Sequence, residues 1–146
     1  MKKDFTRDYA TAAFRMWARH GCPTYDEAVD RIKSRAMAQA GDADPLKKIA
    51  FAESEVEKRT ALLCDVLACE RTFIALESHG KKHVCDAVRA VYMVDPWREA
   101  RRGELTSRVI RYSMRAHISE SQVYRYLREA RLFFCGLRGL RISDEE

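Results

Sequence analysis

Phe5, Tyr9, Ala12, Ala13, Met16 and Trp17 recur at three- and four-residue steps, and this spacing predicts an amphipathic helix over 4–19. Gly21-Cys22-Pro23 stops it. Thr24 and Glu27 then stand three apart, the spacing of a capping box, so a second helix is expected over 25–40 with Ala28, Val29, Ile32, Ala36 and Met37 facing inward. Gly41, Asp44 and Pro45 combine a stop signal, a capping side chain and a proline suited to the first helical turn.

No Gly or Pro interrupts 46–78, which predicts one long helix of roughly 50 Å at 1.5 Å per residue. Its first half offers only Ile49, Ala52 and Val56 as a narrow seam beside a charged run. The second half carries Leu62, Leu63, Val66, Leu67, Cys69, Phe73, Ile74 and Leu76, a broad face for a core. The narrow half is read as a solvated helix, or else as a seam for another subunit. A shorter helix is expected over 81–94, with Val84, Ala87, Val88 and Val91 inward and Asp95-Pro96 as its stop. Two more are expected over 104–116 and 120–134. The pattern therefore predicts an all-α fold of about six helices: a helical region over 1–97 with one long helix, and a C-terminal helix-turn-helix within 98–146.

Composition agrees with this and narrows it. A hydrophobic fraction of 47% is too high for a disordered chain, and 6 Gly with 3 Pro among 146 residues supply few turns for a many-stranded sandwich. Five cysteines without a Cys-x-x-Cys pair, an N-terminus without an apolar leader and the lack of a long uncharged stretch predict a soluble, cytoplasmic protein with no membrane partner. The charge is uneven. Residues 1–97 hold 16 basic and 15 acidic side chains, 98–141 hold 11 and 4, and the last five hold three acids. In the C-terminal third the basic residues are all arginine.

That third also carries the most specific pattern. Ile118 is placed to plug the space between two helices, Ser119 to cap the second with Gln122 at the capping-box position, and Ser113 to allow close crossing. With Val123, Leu127 and Ala130 inward, Ser121, Gln122, Tyr124, Arg125, Arg128 and Glu129 project outward. Gln122 suits adenine, Arg125 suits guanine, and Arg128 or Arg131 suits phosphate, with Arg111 and Arg115 on the preceding helix as further cations. Arginines at such positions are also what a solvated helix face carries.

The stretch Ile118-Ser119-x-x-x-Val123-x-x-x-Leu127-x-x-Ala130 resembles the helix-turn-helix of the fourth domain of bacterial sigma factors. A wider window, from Ala87-Val88-x-x-Val91-Tyr92 through Val123-Tyr124-Arg125 to Leu137-x-x-Leu140, resembles the late-transcription regulators of phages and prophages of the ArpU and RinA kind. The resemblance implies a transcription regulator that reads double-stranded DNA through Ser121, Gln122, Arg125 and Arg128, with Ser119 as the cap and RNA polymerase as a further partner. His117 stands where that turn usually has glycine, so a positive φ is expected there.

Other chemistry has little support. His20 with Cys22, His83 with Cys85, and His79 with His83 are soft ligands near one another, but four converging ligands for zinc are not evident. Phe14, Trp17 and Tyr25 are the aromatics available for melting a DNA strand, although the spacing of Trp17 with Met16 is that of a core residue. No phosphate loop, serine elbow or activated cysteine is recognisable, so neither an enzyme nor a cofactor is expected. The competing expectation is a helical interaction or assembly protein, such as a small terminase-like subunit, that uses the 46–78 helix to form a homo-oligomer or to dock to a larger complex.

Overall fold

The computed structural model describes residues 5–140, and these form seven α-helices with no strand among them. In chain order they are α1 (Phe5–Arg19), α2 (Tyr25–Ala40), α3 (Pro45–Lys58), α4 (Thr60–Ser78), α5 (Lys82–Tyr92), α6 (Glu104–Ala116) and α7 (Glu120–Arg138). None of the described helices is long and apolar enough to cross a membrane.

One hydrophobic cluster joins α1, α2, α4, α5, α6 and α7. Phe14, Phe134, Val66, Val84, Val88, Val91, Val109 and Val123 are fully enclosed in it. The Phe14 ring lies 5.5 Å from that of Phe134 and 6.1 Å from that of Phe73, so α1, α4 and α7 meet through aromatic contacts. Trp17 packs edge-on against Phe73 at 5.0 Å and donates its indole N–H to the Pro23 carbonyl at 2.8 Å. Phe14 and Trp17 are therefore structural aromatics. Residues from both sides of position 97 contribute to the cluster, among them Val91 before it and Val109, Leu127 and Phe134 after it.

The helix predicted over 46–78 is two helices. Arg59 leaves helical geometry (φ −111°, ψ 25°), its N–H turns back to the Val56 carbonyl at 3.0 Å, and the Thr60 hydroxyl donates to the Glu57 carbonyl at 2.7 Å. No Gly or Pro marks the site. α2 packs against both α3 and α4. The narrow seam of α3 is thus matched to α2 in the same chain: Ala36 and Ala52 are buried, and Val56 packs against the core, whereas Leu46 and Ile49 remain exposed.

Local signals account for several boundaries. Thr24 and Glu27 make both bonds of the capping box, the Thr24 hydroxyl accepting from the Glu27 N–H and the Glu27 carboxylate accepting from the Thr24 N–H. Pro45 opens α3 as expected, but the Asp44 side chain makes no cap bond. α7 runs to Arg138, four residues beyond the predicted end, because the first left-handed position after Ser119 is Gly139 (φ 68°). In α1 the buried stripe is Ala10, Ala13, Phe14 and Trp17, so Ala10 and Phe14 take the places assigned to Tyr9 and Ala12, which are exposed. The predicted inward face of Phe5 lies outside the described side chains. Met37 and Ile74, also predicted inward, are exposed.

Candidate nucleic-acid interface

α6 and α7 are joined by three residues, His117, Ile118 and Ser119. α6 ends in a Schellman-type turn: His117 adopts φ 59°, ψ 42°, and the N–H of Ile118 returns to the Ser113 carbonyl at 3.0 Å. The expected positive φ at His117 is observed. A left-handed conformation costs a residue with a Cβ roughly 1–2 kcal/mol, a cost that glycine avoids. His117→Gly is accordingly expected to raise stability by about 1 kcal/mol in urea denaturation, and an unchanged or lowered midpoint would contradict this description of the turn.

Ile118 is half-buried against the core and Ser113 is buried, its hydroxyl donating to the Ile110 carbonyl at 2.7 Å. The Ser119 hydroxyl accepts from the Gln122 N–H at 3.1 Å and starts α7. Val123, Leu127 and Ala130 are buried, which fixes the rotation of α7 about its axis. At 100° per residue, Ser121, Tyr124, Arg125 and Arg128 then fall within a 100° arc, and all four are exposed. Gln122 sits half-buried at one edge of this stripe and Arg131, also half-buried, near the other. Arg111 and Arg115 are exposed on α6, the latter with its guanidinium 5.4 Å from the centre of the Tyr112 ring.

The arginine-rich third divides by role. Arg131 donates to the Tyr92 hydroxyl at 2.7 Å and ties α7 to α5. Arg138 donates to the Tyr9 hydroxyl at 3.4 Å and to the Asp65 carboxylate at 2.7 Å, which raises its pKa and joins α7 to α1 and α4. Arg108 is buried, donates to the Val91 carbonyl at 3.0 Å and lies 3.6 Å from Glu104. Glu104 also pairs with Arg98 and accepts from the Arg101 N–H at 2.9 Å. The Arg98 contact, then the Arg101 N–H, pull its carboxyl down to about 2. Lys81 meets Glu129 at 2.6 Å, so Glu129, predicted outward, is a half-buried bridge to the start of α5. Arg101, Arg102, Arg111 and Arg115 are exposed ahead of α7, and Arg125 and Arg128 are exposed in its stripe.

Arg15 was not legible as a functional or structural residue in the sequence. It is buried, and its guanidinium donates to the carbonyls of Tyr92 (2.9 Å), Asp95 (3.2 Å) and Arg98 (2.8 Å). Arg19 adds a bond to the Pro96 carbonyl at 3.3 Å. Together they hold the connection between α5 and α6 against α1, so that α6 and α7 are seated on the rest of the molecule through fixed polar contacts as well as apolar ones. Among the described residues no group of His, Cys, Asp and Glu is placed to hold a metal ion.

No family model matches the chain, and comparison with curated proteins and with solved structures returns no match.

Proposed function

We propose that this chain is a DNA-binding regulator of transcription in which α6 and α7 act as a helix-turn-helix and α7 enters the major groove. The observation that carries the reading is the exposed stripe of Ser121, Tyr124, Arg125 and Arg128 on the N-terminal half of α7, immediately after a tight, capped turn. A recognition helix presents its N-terminal residues to base edges while neighbouring cations take the flanking phosphates.

In this reading Arg125 and the edge residue Gln122 reach base edges, Ser121 and Tyr124 contact bases or sugar-phosphate, and Arg128 takes a phosphate. Arg111 and Arg115 lie on the helix that crosses the backbone, the position from which phosphates are reached. Arg131 holds α7 in place through Tyr92, and its contribution to DNA is electrostatic. The resemblance to the sigma-factor turn and to the phage and prophage late-transcription regulators adds RNA polymerase as a partner of the DNA-bound protein.

The test is titration of the purified chain into a fluorescent mixed-sequence duplex at low salt. A saturable rise in anisotropy is expected, and its absence would remove the reading.

A further inference from the structure

Beside the exposed stripe of α7 lies a cleft of about 480 Å³, walled by α1, the α5–α6 connection, α6 and α7. Four arginines line it, Arg7, Arg15, Arg128 and Arg131, against two acids, Asp8 and Glu99. Val109 and Leu127, both almost fully enclosed by the core, form part of its lining, and so do Leu105 and Tyr124. Small-molecule sites have this make-up: a volume of roughly 300–1,000 Å³, an apolar and aromatic lining, and a few converging polar groups.

The cations are not scattered along a helix face. They come from two helices far apart in sequence, α1 and α7, and line one space. Arg15 is held by its three carbonyl bonds and Arg131 by the Tyr92 hydroxyl, so both are oriented before any ligand arrives. A guanidinium carries five N–H donors, and one donor bonded to Tyr92 leaves Arg131 others. The surroundings of Arg15 are electropositive: burial first, then Arg108 and Arg19, lower its pKa, and Glu104 offsets this only in part. Anionic charge placed in the cleft relieves that crowding.

We propose that this cleft binds a nucleoside phosphate, with the phosphates on the arginines and the base against Tyr124, Leu105 and the apolar lining. Arginine favours phosphate through paired, planar N–H bonds, and an aromatic ring beside an apolar floor accepts a flat heterocycle. One consequence rests on the duplex-reading function proposed above. Tyr124 and Arg128 belong both to the cleft and to the exposed stripe, so a bound nucleotide competes with DNA for them.

The experiment is isothermal calorimetry of the full chain, without DNA, against ATP and GTP, with inorganic triphosphate and the bare nucleosides as the two halves of the ligand. At least one nucleotide is expected to bind tenfold or more tightly than either half. Arg7→Glu and Thr106→Trp, which reverse a charge and narrow the cleft, are each expected to weaken that binding at least tenfold. Circular dichroism and thermal melting confirm that each variant is folded, and a variant that is not is replaced by Leu105→Gln, a milder change to the same lining.

No binding by the folded wild-type chain at millimolar nucleotide overturns the proposal. Equal binding of inorganic triphosphate overturns it too, since the lining would then recognise no base, and so does binding that folded cleft variants leave unchanged. If nucleotides fail while the same variants weaken duplex binding, the cleft takes a backbone phosphate of DNA and the nucleotide proposal is wrong. Nucleotide binding without duplex binding would uphold the cleft and defeat the regulator reading, so the two failures are told apart.

Discussion

Arg125→Ala is expected to weaken duplex binding about tenfold or more without changing the helical content of the protein, because a cation reaching a base edge contributes on the order of 1–3 kcal/mol. Arg125 is exposed and lies on the α7 face opposite the buried Val123 and Leu127, so its removal leaves the core packing intact. Arg128→Ala is expected to act differently. It should weaken binding to all sequences alike and reduce the salt dependence by about one phosphate contact. Anisotropy titrations of both variants on a preferred site and on an unrelated duplex separate these outcomes. Unchanged affinity in both, with unchanged circular dichroism, would mean that the assigned face does not meet DNA.

The second large effect concerns stability. Phe134→Ala is expected to cost about 3–5 kcal/mol, the range for deleting a buried aromatic side chain, which is a large share of the roughly 5–15 kcal/mol that holds a domain folded. Phe134 is completely enclosed, with its ring 5.5 Å from that of Phe14 and 6.2 Å from that of Tyr9. It anchors the C-terminal half of the helix whose N-terminal half carries the exposed stripe. The neighbouring Phe133 is partly exposed, and Phe133→Ala should cost far less. Urea denaturation followed by circular dichroism measures both. A similar loss in the two variants would contradict the rotation of α7 described above.

Much of this was readable from local chemistry. The capping box at Thr24 and Glu27, the Ser119 cap and the left-handed His117 each depend on residues within a few positions of one another, and each occurs where the sequence places it. The stripe of α7 was readable for the same reason, since Val123, Leu127 and Ala130 fix one face and leave Ser121, Tyr124, Arg125 and Arg128 on the other.

What escaped was set by distant contacts. The interruption at Arg59 has no breaker residue, and α2 packs on the helices on both sides of it. The register of α1 was shifted because Tyr9 looks like a core residue. Its ring instead lies at the surface with its hydroxyl donating to Asp65 at 2.9 Å, while Phe14 takes the interior. An arginine on the buried side of α1 gives no sign in one dimension that it will bind three carbonyls some 80 residues later, at 77, 80 and 83 positions' separation. The Arg-rich third read as one electropositive block, yet Arg98, Arg108, Arg131 and Arg138 make contacts within the fold, to Glu104, Tyr92 and Asp65.

In the proposed function the exposed face of α7 and its neighbouring arginines bind double-stranded DNA. The most direct measurement is the affinity of the purified protein for a mixed-sequence duplex over a series of salt concentrations, since each phosphate neutralised contributes about −0.9 to the slope of log affinity against log salt. A slope of roughly −4 or steeper is expected, as for several arginine–phosphate contacts. Absence of binding even at low salt would contradict it and would make these arginines a solvated or protein-facing surface.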